Sequence, residues 1–394
     1  MFCHALYLKF SLDPAYVPSD NWAKIFPGHS CVLLFFVLSG YVIGLTNQRP
    51  LNRITTGRYL KNRLIRLYPI YVLSLILTLF IAFPLYPLRI ILGHFVFLQN
   101  SIVPVMYENN PLWSLNSEIV YYLLFIPISF LGLSPGKVCF TALFVGVVSA
   151  AVLHNPMFSS YSFGFVFWAA GLWLSQRQTF ETQNSSKYLL FSLLFLFIGY
   201  QQLNPFIPVF AIVEGKMQIS NSNPSGPMVV FNDLAQLPFC LYIFIKFTNK
   251  KVPKDVFFIT GLVSLGLLYF SYSFYKHGLN SLVVYYKILP VIFFSVGAIL
   301  LVVSYCLPKP TSPQLMPKFI LKLGAISYAV YVVHFPISLI LSKISMFSGS
   351  LLTFILRMVV DLILVLLISN VLELKIQPWF KARFAVKAIP AIVQ

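Results

Sequence analysis

Apolar residues in this chain come in long unbroken runs, near 31–47, 67–84, 113–132, 138–154, 159–175, 188–204, 229–247, 255–275, 287–307, 323–343 and 350–371. A helix that crosses a bilayer needs about 20 apolar residues, and the runs are of that order. Strands of a membrane barrel would instead alternate apolar and polar positions over about ten residues. The pattern therefore predicts an all-α protein, a polytopic transmembrane helical bundle of about 10–11 spans, forming one membrane-embedded domain over residues 1–394. No internal repeat is visible, and the paired Gly/Pro-interrupted helices of inverted-repeat transporters are not found. Met1–Phe10 is apolar but too short to span and has no basic n-region or cleavage site, so it is not a signal peptide. It reads as the last turns of a helix that starts upstream, which makes the first span an apparently truncated one.

The polar stretches are short. Residues 11–30 hold Asp13, Asp20 and three prolines. Residues 85–112, with Arg89, His94, Glu108, Asn109 and Asn110, read as a re-entrant or interfacial segment over a cavity. Residues 176–187 and 205–228 read as polar loops.

Composition sharpens this picture. Only 10% of residues are charged, against about 25% in a soluble domain. A net charge of +18 is compatible with a nucleic-acid partner, but the cations gather in short loops. The clusters are Arg49, Arg53, Arg58, Lys61, Arg63 and Arg66; Lys246, Lys250, Lys251 and Lys254; Lys309, Lys318 and Lys322; and Lys375, Lys381, Arg383 and Lys387. With the runs above, all four fall on one side, as the positive-inside rule requires of cytoplasmic loops. That assigns a multi-pass protein of the inner (plasma) membrane with a cytoplasmic C-terminus, whose partner is lipid rather than nucleic acid. The cysteines, Cys3, Cys31, Cys139, Cys240 and Cys306, are scattered and odd in number, with no CxxC pair. Neither a disulfide framework nor a metal site is expected.

Four segments carry candidate chemistry. Glu118, one of ten acidic residues, sits inside an apolar run. A carboxylate in hydrocarbon costs roughly 2.5–3.5 kcal/mol, so such a residue faces protein or a water-filled cavity. It is either a functional group or a structural hydrogen-bond acceptor. Gly28–Ile43 combines an aromatic pair, Phe35-Phe36, with the small pair Ser39-Gly40, which allows close helix approach, and His29 stands near its outer end. Arg63 and Arg66 lie three apart on one helical face at the membrane boundary. They can grip phosphates bidentately or serve simply as a topology signal. In Leu323–Ile337, Ser327, Tyr331 and His334 recur at spacings of four and three and share a helix face.

Together these segments resemble the acyltransferase-3 family of integral membrane acyltransferases. The strings are FFVLSGYVI (35–43), RLIRLYPIY (63–71), LWSLNSEIVYYLL (112–124) and LGAISYAVYVVHFPI (323–337), with a weaker closing segment, VLELKIQPWFK (371–381), through Glu373 and Pro378. The resemblance implies transfer of an acyl group, usually acetyl, from a cytoplasmic acyl-CoA to a carbohydrate hydroxyl, with no permanently bound cofactor. The family's essential histidine lies at the outer end of the first span, ten residues after a basic residue. His4 occupies that place here, and its basic partner would lie upstream of Met1. By resemblance His4 is the general base, joined by Glu118 as a catalytic residue. Arg63 and Arg66 contact the acyl-CoA donor. His29, Trp113, Ser114, Tyr122, Ser327, Tyr331 and His334, with Tyr328 beside them, line the substrate cavity. Two other readings stay open: a transporter or flippase for a lipid-linked sugar, and a truncated non-catalytic family member.

Overall fold

The computed structural model describes residues 4, 11–18, 26–82, 86–177, 187–217, 219, 229–248, 250, 252, 254–277, 282–307 and 318–384. Most of Met1–Phe10, residues 178–186, and Lys251, Lys309 and Lys387 lie outside them. Among the described residues the chain is all helix, with no β-strand. In order come α1 (Gly28–Thr46), α2 (Arg53–Ala82), α3 (Leu88–Phe95), a 3-10 turn (Tyr107–Leu112), α4 (Trp113–Phe130), α5 (Pro135–Ala151) and α6 (Pro156–Gln176). Then follow α7 (Lys187–Leu203), α8 (Ile207–Met217), a second 3-10 turn (Phe231–Gln236), α9 (Leu237–Phe247), α10 (Asp255–His277) and α11 (Leu282–Cys306). The chain closes with α12 (Lys318–Ser342), α13 (Leu351–Val371), a π-turn (Leu372–Ile376) and α14 (Gln377–Phe384).

Every apolar run named above holds a helix. Seven helices among the described residues are long and apolar enough to cross a membrane, which makes the chain a polytopic α-helical membrane protein. The other runs fall short for visible reasons. α5 and α7 have 17 residues each. The first half of α4 is polar, and the 229–247 run is split into a 3-10 turn and the 11-residue α9. One stretch read as loop is not: IPVFAIVEGKM forms α8, because seven of its residues are apolar and neither proline nor glycine interrupts residues 209–214.

Local signals set the boundaries. Asn155 caps α6 by accepting from Phe158 N at 3.1 Å, with Pro156 in the first turn. Ser350 caps α13 by accepting from Thr353 N at 3.2 Å. Within spans, proline removes an N–H and frees the carbonyl four residues earlier. Pro69 in α2 frees Ile65 O, which accepts from Gln377 Nε2 at 2.7 Å. Pro336 in α12 frees Val332 O, which accepts from Ser74 Oγ at 2.5 Å and Asn109 Nδ2 at 3.1 Å. Each proline-bearing helix is thus tied to a neighbour by a side chain that satisfies the freed acceptor.

Among the described residues, packing falls into two large apolar clusters and a small third one around Leu12 and Phe354. The larger is built from α1, α2, α4, α5, α6 and α12, with Phe36, Tyr71, Tyr121 and Trp168 at its centre. The second joins α7, α9, α10 and α11 around Leu196, Tyr200, Phe239 and Phe294. In the larger cluster α1 and α6 meet backbone to backbone. A Cβ at Gly40 would strike the carbonyl of Trp168, and one at Gly171 would strike the carbonyl of Val37. Only glycine permits that approach.

Residues 86–112 fold back against α2 and α12 rather than forming an open loop. Tyr71 Oη donates to His94 O at 2.6 Å, and Asn109 Nδ2 donates to Ser74 Oγ and Thr78 Oγ1 at 3.0 Å each. Non-spanning backbone at membrane depth is tolerated where it is buried in protein like this.

Candidate active site

The interior of the larger cluster holds a file of polar side chains. Its middle is Glu118, on the first turns of α4 and 2% exposed. Ser39 on α1 donates to Glu118 Oε1 at 2.9 Å, and Tyr122, one turn further along α4, donates to the same oxygen. Trp168 Nε1 on α6 donates to Ser39 Oγ at 3.2 Å. Ser39 therefore owes its place to Gly40, whose missing side chain lets α6 bring Trp168 close. The second carboxyl oxygen, Oε2, is buried without a hydrogen-bond partner among the described residues. An orphaned carboxyl oxygen costs desolvation energy with no return, so it is a group in this file open to a ligand.

Toward one end lie the two arginines, in unequal settings. Arg66 donates from Nη1 to both carboxyl oxygens of Glu373, at 3.0 and 2.8 Å, and lies 5.2 Å from the Tyr328 ring centre. Glu373 comes from the π-turn after α13, a helix irregularity of the kind found at functional sites. Arg63 has no carboxylate partner among the described residues. Its guanidinium sits 5.8 Å from the rings of both Tyr59 and Tyr122, Nη2 donates to Thr46 at 3.2 Å, and Nε is buried without a partner. The expected arginine pair is thus one committed and one uncommitted cation.

At the other end are the histidines. His4 Nδ1 lies 2.9 Å from His334 Nε2. One turn below, Tyr331 Oη donates to Pro111 O, so Ser114 Oγ must be the donor in its 2.5 Å contact with that phenol. His29 opens α1 and pairs with Asp233 Oδ2 at 2.8 Å, its ring 6.2 Å from and nearly parallel to that of Trp113. Asp233 is held in turn by Val230 N at 2.8 Å.

Of the residues singled out from sequence, the structure brings Glu118 and Tyr122 together at the middle of the file, with Arg63 against the Tyr122 ring on the arginine side. His4, Ser114, Tyr331 and His334 meet further along, with Trp113 and His29 beside them. Ser327 does not join them: it is exposed, and its hydroxyl turns back to Gly324 O at 2.8 Å. At 100° per residue, α12 turns Tyr328 rather than Ser327 toward α2, where Tyr328 Oη reaches Leu67 O at 2.9 Å. Sequence reasoning missed Asp233 and Trp168, and took Ser39 for a packing residue. Asp233 left a signal, an acid at the edge of an apolar run in an acid-poor chain. Trp168 left none, because an aromatic residue in a span is ordinary.

Comparison with known families supplies the context. Residues 1–252 match the family model of the acyltransferase-3 acyltransferase domain. The match covers nearly two thirds of the 394 residues and reaches from His4 past Asp233. α12 and the Glu373 turn lie beyond it yet complete the same file of side chains. Neither curated proteins nor solved structures give a match. With its polytopic helical fold and a family model matched over most of its length, the chain belongs to the acyltransferase-3 family, whose members are membrane acyltransferases.

Proposed function

We propose that this protein moves an acetyl or other short acyl group from acyl-CoA to a hydroxyl of a cell-surface or exported carbohydrate. The site lies in the inner membrane, and the arginine end and the C-terminus face the cytoplasm, as the clustering of cations near Arg63 and Arg66 supports. The observation that carries the reading is the buried polar file itself. From Arg63 to Ser74 along α2 is about 16 Å at 1.5 Å per residue, and Ser74 bonds Val332, two residues from His334. A donor anchored by phosphate at Arg63 can therefore extend its thioester past Glu118 toward the histidines.

In this reading His4 takes the proton of the acceptor hydroxyl. The hydroxyl oxygen bonds the acyl carbon, the C–S bond breaks, and the proton passes from His4 to the leaving thiolate. Ser114 and Tyr331 are placed to orient the reacting groups. Trp113 beside His29 offers a flat face for a sugar ring. The test is transfer of radiolabel from acetyl-CoA to glycan in membranes carrying the protein. Label in the carbohydrate fraction, lost in His4→Ala, is expected. Unchanged acetyl-CoA binding in the Arg63→Ala, Arg66→Ala double variant would favour a transporter, and donor binding without transfer would mark a non-catalytic member.

A further inference from the structure

The two buried imidazoles at the far end of the file constrain one another. Their ring centres lie 5.1 Å apart with 27° between planes. Two rings joined edge to edge through an N···N contact have that separation, so the 2.9 Å contact between His4 Nδ1 and His334 Nε2 is a hydrogen bond near both ring planes. Its direction follows from the other side of His334. There Nδ1 lies 2.7 Å from Tyr331 O and 3.1 Å from Val330 O. Carbonyl oxygens only accept, so Nδ1 carries the hydrogen. A neutral imidazole has one N–H, so His334 Nε2 presents a lone pair. His4 must then donate from Nδ1, which leaves the lone pair of His4 on Nε2, a nitrogen with no partner among the described residues.

We infer that His334 is a positioning residue that fixes His4 in the Nδ1–H tautomer and so aims its Nε2 as the base. The inference rests on the reading of His4 as the base of acyl transfer. Free imidazole side chains favour the opposite, Nε2–H, tautomer, in which the basic nitrogen would point back at α12. A buried aspartate does this job in serine hydrolases. Within an apolar bundle a neutral imidazole does it without a second buried charge. When His4 takes up a proton at Nε2, its Nδ1–H bond to His334 becomes charge-assisted and tightens. The carbonyls of Tyr331 and Val330 hold the far side of His334 so that its ring does not turn. His334 therefore acts through His4 and need not touch substrate.

The test reads the tautomer and the kinetics separately. In nanodiscs carrying the full chain with 15N-histidine, the His4 signals, assigned by their loss in His4→Gln, should report Nδ1–H. In His334→Leu they should report Nε2–H, with kcat down between about 10²- and 10⁴-fold, the range for a base held in the wrong tautomer. KM for acetyl-CoA should stay within about two-fold, because the loss falls on the chemical step. His334→Gln, whose carbonyl oxygen stands near the Nε2 position, should restore Nδ1–H and at least about a tenth of kcat. Nε2–H in the wild type, or a His334→Leu variant with undiminished kcat, overturns the inference. Should His334→Leu fail to fold, the wild-type and His334→Gln spectra still decide it. A wild type that shows Nδ1–H but transfers no acyl group overturns the proposed function and leaves the tautomer assignment standing.

Discussion

Replacing Glu118 by glutamine and by alanine separates its chemistry from its packing. Oε1 accepts from Ser39 and Tyr122 and is the part of the carboxylate that holds α1 to α4. Glutamine keeps an acceptor there. Its amide nitrogen takes the place of the orphaned Oε2, so the variant exchanges a buried unpaired acceptor for buried unpaired donors. Each such orphan costs about 1–3 kcal/mol, and the two costs nearly cancel. Glu118→Gln should therefore unfold within about 1 kcal/mol of wild type. Alanine removes the shared acceptor of two buried hydroxyls, and each orphaned group costs about 1–3 kcal/mol, so a loss of at least about 2 kcal/mol is expected. Activity should sort differently. If Oε2 meets the substrate, both variants lose transfer by about 10²-fold or more. The assays are thermal unfolding in detergent and radiolabel transfer from acetyl-CoA. Near-normal transfer by a stably folded Glu118→Gln would refute the catalytic role and leave Glu118 as a structural acceptor. Equal stability of the two variants would refute the account of the Ser39–Glu118–Tyr122 knot.

The arginines should separate as well. Arg66→Ala leaves the 5%-exposed Glu373 carboxylate unpaired and should cost about 2 kcal/mol, between surface and fully buried pairs. Arg63→Ala should cost under about 1 kcal/mol in thermal unfolding yet raise KM for acyl-CoA more than any stability loss explains. At the α1–α6 contact, Gly171→Val should destabilise by about 3 kcal/mol or prevent assembly, measured by thermal unfolding of purified protein. Gly324→Ala, where a Cβ meets nothing within 4 Å, should instead stabilise by about 0.5–1 kcal/mol. Burial holds the His94 pKa below its usual value, and its ring is neutral, accepting from Met106 N at 3.2 Å. A depressed folded pKa means this stabilisation is present above the unfolded value, about 6.5, and is lost as pH falls below it. Hydrogen exchange at the Met106 amide, corrected for intrinsic rates, should therefore lose protection between pH 7.5 and 5; constant protection would count against it.

Much of the fold was legible because hydrophobic continuity over about 20 residues is a one-dimensional signal. Partnerships were not. Glu118 announced itself as a charge in an apolar run, but its partner Ser39 lies 79 residues away. Glu373 stood out in its terminal segment, yet nothing in the spacing of Arg63 and Arg66 says which of the two it holds across 307 residues. Ser327 illustrates the limit of periodicity. Spacings of four and three place three residues on one stripe, but the width of the buried face depends on the neighbour, and α2 favours Tyr328. Helix α8 was hidden because an 11-residue apolar stretch is too short to read as a span and was outweighed by the polar residues after it.

The glycine contact between α1 and α6 has a mechanical consequence. Where two helices touch through backbone atoms, no side chain lies between them to bend, swap rotamer or act as a bearing. The pair moves as one plate, and Ser39 and Trp168, each within three residues of the contact, are bolted to it. The side of the polar file that carries Ser39 and Trp168 is thus fixed. Any opening that admits an acyl donor or an acceptor falls to the other side, where the proline-bearing α2 and α12 are held by replaceable side-chain bonds to carbonyls.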